Sequence, residues 1–126
     1  MNNEILYKDE VYAIQRAVYE VYNEKGCGFS EGVYQECLEK EFLNQKIPFV
    51  AQAEVFIEYK GELLKHYYKP DFICFDKIII ELKVVTELAP EHIAQALNYL
   101  RATQNRLGLL VNFGHYPKVE IRRVIL

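Results

Sequence analysis

The chain has little of what staples or anchors a small domain. It holds three cysteines, Cys27, Cys37 and Cys74. The number is odd and no two stand in C-x-x-C spacing, so neither a disulfide framework nor a zinc or iron–sulfur site is indicated. Its three histidines, His66, His92 and His115, fall in a strand, a helix start and a loop by pattern, which argues against a histidine-rich metal site. No apolar run approaches the roughly 18 to 20 residues that span a bilayer, so no membrane partner is expected. The opening "MNNEILYKDE" lacks the basic start and small-residue cleavage site of a secretory signal, and a cytoplasmic location is expected. Positive charge is not in excess either: 15 Lys and Arg stand against 18 Asp and Glu, a net charge of −3. That balance excludes indiscriminate coating of nucleic acid by the whole surface. A polyanion must meet a local patch, such as Lys65 and Lys69, Arg101 and Arg106, or Lys118, Arg122 and Arg123.

What is present is 126 residues, enough for one domain over residues 1–126 with a core of its own. From Tyr7 to about Lys25, Val11, Ile14, Val18, Val21 and Tyr22 recur at threes and fours, which predicts an amphipathic helix. "GCGFSEG" punctuates it. Ser30 is placed to cap a second helix with Val33, Tyr34, Cys37, Leu38, Phe42 and Leu43 along one side, closed by Pro48. The period then drops to two: Val55, Ile57 and Tyr59 alternate with Glu54, Phe56, Glu58 and Lys60, and Lys60-Gly61-Glu62 offers a hairpin turn. "PDFICF" is expected to continue the second strand, and "IIIELKVV" reads as a third, apolar enough to be central. Pro90 suits the first turn of a further helix with Ile93, Ala94, Leu97 and Leu100 as its buried stripe. "RLGLLVNF" and "VEIRRVIL" supply two more strands. The order defines an α/β fold with a mixed sheet, in which a crossing helix allows the third and fourth strands to run parallel.

One stretch, "KPDFICFDKIIIELK", carries the chemistry. Residues two apart on a strand point the same way, so Glu81 and Lys83 share a face of an apolar element. Whether Asp71 joins them depends on the preceding loop. A two-residue loop at Asp76-Lys77 opposes Asp71 to Leu82, on the other face; a three-residue loop at Phe75-Asp76-Lys77, or one bulge, opposes it to Glu81. Two carboxylates converging on a buried face repel each other unless a cation sits between them or one takes a proton. A hard, oxygen-liking ion such as Mg²⁺ or Mn²⁺ meets that need and leaves room for a phosphate oxygen. A lysine beside it is placed to position a water for phosphodiester hydrolysis. The plain alternative is a cross-face ion pair on a solvated sheet.

Pro70-Asp71, nine intervening residues and Glu81-Leu82-Lys83 resemble the signature of the PD-(D/E)xK nuclease superfamily. "GFSEGVY", with Gly28, Glu31 and Tyr34, is similar to the pattern that names the GxxExxY family, usually placed in that superfamily, and the likeness extends over nearly the whole chain. The resemblance implies a restriction-endonuclease-like αβββαβ core with a mixed central sheet, flanking helices and an extra C-terminal strand. It assigns Asp71 and Glu81 as metal ligands, Lys83 as the catalytic lysine, and Glu31 as a helical acid reaching the same ion. Gln95 and Tyr99 have the QxxxY spacing of RecB-like nucleases, where Gln95 reaches a metal water or substrate phosphate and Tyr99 supports it. Tyr34, three residues from Glu31 on one helix side, and the cationic Arg101 join them as candidate substrate contacts. The function expected is a metal-dependent nuclease for DNA or RNA, possible as a homodimer. The alternatives are a silent nuclease-fold binding module within a larger complex, or a structural protein if Asp71 and Glu81 face opposite sides.

Overall fold

The computed structural model describes residues 5–126. Helix α1 (Lys8–Lys25) buries Val11, Ile14, Ala17, Val18 and Val21, the apolar stripe expected from its spacing. Helix α2 (Glu31–Asn44) buries only Tyr34, Leu38 and Phe42. At about 100° per residue, Val33 and Leu43 lie about 140° round the helix from the centre of that stripe. Both are exposed, which corrects the broader face expected. Ser30 does stand at the N-cap with extended backbone, yet its side chain makes no capping bond; its carbonyl instead accepts from the Val33 and Tyr34 amides.

Seven strands follow in two sheets: β1 (Phe49–Ala51), β2 (Val55–Tyr59), β3 (Glu62–Tyr68), β4 (Phe72–Cys74), β5 (Ile78–Lys83), β6 (Leu107–Asn112) and β7 (Glu120–Ile125). The main sheet has the order β1-β4-β5-β6-β7, and β2 with β3 forms a sheet of its own. Helix α3 (Pro90–Thr103) crosses between β5 and β6, which pair in parallel, while the other pairs of the main sheet are antiparallel. "PDFICF" therefore does not continue the second strand. Pro70 has no N–H for the ladder, the hairpin stops at Tyr68, and β4 joins the main sheet instead.

The main sheet separates two apolar layers. Phe72, Cys74, Ile78, Ile80, Leu82, Leu109 and Val111 meet α1 and α2 on one side, while Ile79, Leu110 and Val124 meet Ala96 and Leu100 of α3 and Tyr68 of the hairpin on the other. In α3, Ala96 takes the stripe position assigned to Ala94, which is exposed, since Ala94 is turned about 120° from Leu100.

The hairpin turn is two residues, not three. Tyr59 pairs with Glu62, leaving Lys60 and Gly61 with φ of 49° and 84°. Both central residues are left-handed, as a type I′ turn requires, and lysine is a poor choice there. Lys60→Asn is expected to stabilise the fold by about 0.5 kcal/mol, measured as a raised denaturant midpoint.

Candidate active site

The β4–β5 register runs Phe72↔Ile80, Ile73↔Ile79 and Cys74↔Ile78. It leaves the three-residue loop Phe75-Asp76-Lys77, whose first two residues have φ of 55° and 60°. The next step of the register sets Asp71 opposite Glu81. Because Ile78, Ile80 and Leu82 enter the core beneath α1 and α2, Glu81 and Lys83 fall with Ile79 on the α3 side of the sheet, and Asp71 with them. Lys77 fixes the loop from outside, its ammonium 2.6 Å from Glu10 and 4.3 Å from the centre of the Tyr7 ring.

The Asp71 carboxylate accepts from the Leu82 amide at 2.7 Å and from Gln52 at 3.2 Å. Its backbone carbonyl accepts from the Gln52 amide at 3.2 Å and from the Gln35 side chain at 3.3 Å. Burial nevertheless raises the Asp71 carboxyl above its ordinary value, outweighing the Leu82 and Gln52 bonds and the nearby Lys83 charge. Glu81 is pushed further, to about 7, by burial first and by repulsion from Asp71, against the opposing pull of the Tyr68 hydrogen bond and Lys83. The pair therefore carries negative charge that its surroundings do not fully balance.

Glu31 opens α2 at the surface, and Gln35, four residues on along the same helix side, ties that side to Asp71. Desolvation, then repulsion from Asp71, raises the Glu31 carboxyl, while Lys83 lowers it. Glu31 and Glu81 thus both feel Asp71, and Lys83 acts on all three acids. Among the described residues, however, no three His, Cys, Asp or Glu side chains close into a metal cage.

Tyr68 is the residue that sequence reasoning undervalued. Buried at the end of β3, it donates its hydroxyl to Glu81 Oε1, and its ring stacks on Tyr99 with centroids 3.6 Å apart and planes 11° apart. Tyr99 follows Gln95 by four residues on α3, and its stacked ring reaches Glu81 through Tyr68. Burial first and Glu81 second raise the Tyr99 hydroxyl, while nearby Gln95 lowers it. Gln95 itself is exposed.

Two expected substrate contacts are placed elsewhere. Tyr34 is wholly buried, donates to the Gly26 carbonyl, and stacks on Phe113 with centroids 4.4 Å apart, so it holds the core and the loop before α2. Arg101 bonds to Asn98 at 3.2 Å on the exposed side of α3. Two residues beyond Tyr99, it is turned about 160° from the ring that faces the site.

Behind Lys83 the chain is clamped. Asn112, fully buried and paired with Lys83 in the parallel register, accepts from the Val85 and Gly114 amides at 3.0 Å each and donates to Glu120 at 3.0 Å. Glu120 also accepts from the Leu88 amide at 3.1 Å. At Gly114 a Cβ would stand 2.7 Å from the Val85 backbone, so only glycine admits this approach. Asn112→Ala strands two amides and is expected to cost about 2 kcal/mol, read by urea unfolding, with faster exchange of the Val85 amide.

Fold and site together define a nuclease-fold α/β domain. The chain belongs to the PD-(D/E)XK nuclease superfamily, whose sequence profile matches residues 8–124. Among solved structures it is similar to SSO0001, with a TM-score of 0.59 and 17% identity over 92% of this chain, which spans 65% of that protein's. It is also similar to an alkaline exonuclease, LHK-Exo, from Laribacter hongkongensis, with a TM-score of 0.54 and 11% identity over 99% of this chain and 72% of that one. At such identities the likeness is one of fold. No curated protein matches the sequence. No helix among the described residues is long and apolar enough to cross a membrane.

Proposed function

We propose that the protein is a metal-dependent phosphodiester hydrolase acting on DNA or RNA, with Asp71 and Glu81 as ligands for Mg²⁺ or Mn²⁺ and Lys83 orienting the attacking water. The observation that carries this reading is the register that sets Asp71 across from Glu81 on the face holding Lys83. The donor set suits such an ion, which binds through one or two carboxylates and keeps several waters. The upward shift of both carboxyls marks charge that a cation would balance. Once bound, the ion supplies positive charge to the phosphate under attack and makes a neighbouring water easier to deprotonate. The chain's own groups do the positioning. Leu82 and Gln52 hold Asp71, Tyr68 stacked on Tyr99 holds one oxygen of Glu81, and the Lys83 donors orient water toward phosphorus. Glu31, whose carboxyl feels both Asp71 and Lys83, would reach the ion through its waters. The Gly28, Glu31 and Tyr34 spacing supports a finer placement in the GxxExxY family, acting in the cytoplasm.

A second reading is a nuclease-fold binding module within a larger assembly. It draws on the protein donors that already occupy both oxygens of Asp71 and one of Glu81. Incubation with single- and double-stranded DNA and RNA, with Mn²⁺, Mg²⁺ or chelator, separates the two, alongside calorimetric metal titration. Metal-dependent product on any substrate is the expected result. Metal binding with no product on any of them favours the module.

A further inference from the structure

The β2–β3 hairpin stands apart from the main sheet, and its two faces have different fates. Val55 lies opposite Tyr68, which enters the α3 layer and reaches Glu81. Phe56 lies opposite Tyr67, and strand alternation turns this pair outward. Their rings sit 5.4 Å apart and are 44% and 46% exposed. The Lys69 ammonium lies 6.0 Å from the centre of the Tyr67 ring, and Lys65 is exposed two residues before Tyr67 on the same strand, where the pairing with β2 shifts register. Neither lysine has an acidic partner: the one ion pair among the described residues joins Lys77 to Glu10.

Glu54 and Glu58 flank Phe56 in sequence, but neither pairs with Lys65 or Lys69, so two open rings beside unpaired lysines offer a seat for a nucleic-acid strand. Bases stack on the rings whatever their sequence, and lysines follow the phosphates. Base faces are free only in unpaired strands, so the chemistry selects single-stranded over duplex nucleic acid. The chain from Tyr67 to Asp71 spans at most about 14 Å, so a strand held here lies close to the carboxylate pair. We propose that the outer face of the hairpin, Phe56 and Tyr67 with Lys65 and Lys69, is a stacking platform that delivers single-stranded DNA or RNA to the Asp71–Glu81 site. It rests on the reading that this site acts on nucleic acid.

The test is binding without turnover: fluorescence anisotropy of labelled oligothymidine and of a hairpin duplex, in chelator. Wild type is expected to bind the single strand about tenfold or more tightly than the duplex, and Phe56→Ala/Tyr67→Ala to weaken single-strand binding by about tenfold or more. Lys65→Ala/Lys69→Ala should flatten the salt dependence of binding. The ring-preserving Phe56→Tyr/Tyr67→Phe variant should bind as wild type, which separates loss of stacking from loss of fold. Equal affinity for duplex and single strand, or normal binding by the alanine pair, overturns the platform. So does a wild-type dimer in sedimentation that the alanine pair abolishes, which would assign the face to a second copy. The catalytic reading fails separately: a wild type that binds through these rings but cleaves nothing with Mg²⁺ or Mn²⁺ loses its hydrolase and keeps its platform.

Discussion

Changing Lys83 to alanine is expected to slow phosphodiester cleavage by about 10²- to 10⁴-fold, the span of a positioned proton-handling group. The same change should also loosen the site without substrate. Lys83 lowers the carboxyls of Glu31, Asp71 and Glu81 alike, so removing its charge leaves Glu31 and Glu81 to repel Asp71 without compensation. Lys83→Arg distinguishes the two effects. Arginine restores the charge, and with it stability, but its planar fork does not reproduce the compact ammonium that aims a water. The arginine variant should therefore unfold like wild type while its turnover stays more than about tenfold down. Cleavage by Lys83→Ala at the wild-type rate would remove lysine from the chemistry.

How far this site could be read from the chain depended on which contacts are local. Alternation along β5 places Glu81 and Lys83 on one face with no knowledge of any neighbour. Asp71 needed one further fact, the length of the loop at Phe75, and the sequence left two lengths open. The choice lies in the left-handed backbone of Phe75 and Asp76, a conformation neither residue advertises as glycine would. Strand β1 was invisible for another reason: Phe49–Ala51 is too short for a period to show, and it exists because β4 offers it an edge. With β1 unseen, Gln52 had no visible route to Asp71. Tyr68 was hidden by context. Its ring reads as ordinary strand-edge tyrosine until the hairpin folds over α3 and brings it against Tyr99 and Glu81. Asn112 was likewise one polar residue in an apolar run, and its meaning comes from bonding Val85 and Glu120 as well as its near neighbour Gly114.

The same reasoning shows where the helix patterns overreached. Val33 and Leu43 are apolar and adjoin the buried Tyr34 and Phe42 in sequence, but angular position sets them aside. Tyr34 stands three residues from Glu31, yet its ring is turned into the core against Phe113, so helical spacing alone did not tell a site residue from a core one; Arg101, two residues from Tyr99, falls on the opposite side of its helix. A helix separates neighbours in sequence by about 100° each, so contact follows spacing of three and four, not adjacency. Gln35, four residues from Glu31, obeys that rule and does reach Asp71.

Glutamine at position 81 is expected to stabilise the metal-free protein at about pH 8 by roughly 3 kcal/mol, and by less than about 1 kcal/mol at pH 5. Folding raises the Glu81 carboxyl from 4.5 to about 7, mainly through burial. The folded state therefore holds the Glu81 proton more tightly than the unfolded chain does. Stability from this group is intact below the unfolded value of 4.5, falls as pH rises, and is lost once pH passes about 7. Glutamine does not titrate, and its amide oxygen can still accept the Tyr68 hydroxyl, so the variant escapes the loss without leaving Tyr68 unpaired. Thermal melts of both proteins across pH give the difference directly. Added Mg²⁺ supplies the second half of the experiment. If Asp71 and Glu81 hold the ion, saturating metal stabilises wild type at about pH 8 by linkage and narrows its deficit, while the glutamine variant, with one ligand charge removed, gains far less. Parallel pH curves for the two proteins would mean that Glu81 is solvated and its charge already balanced, and equal gains from Mg²⁺ would place the ion elsewhere.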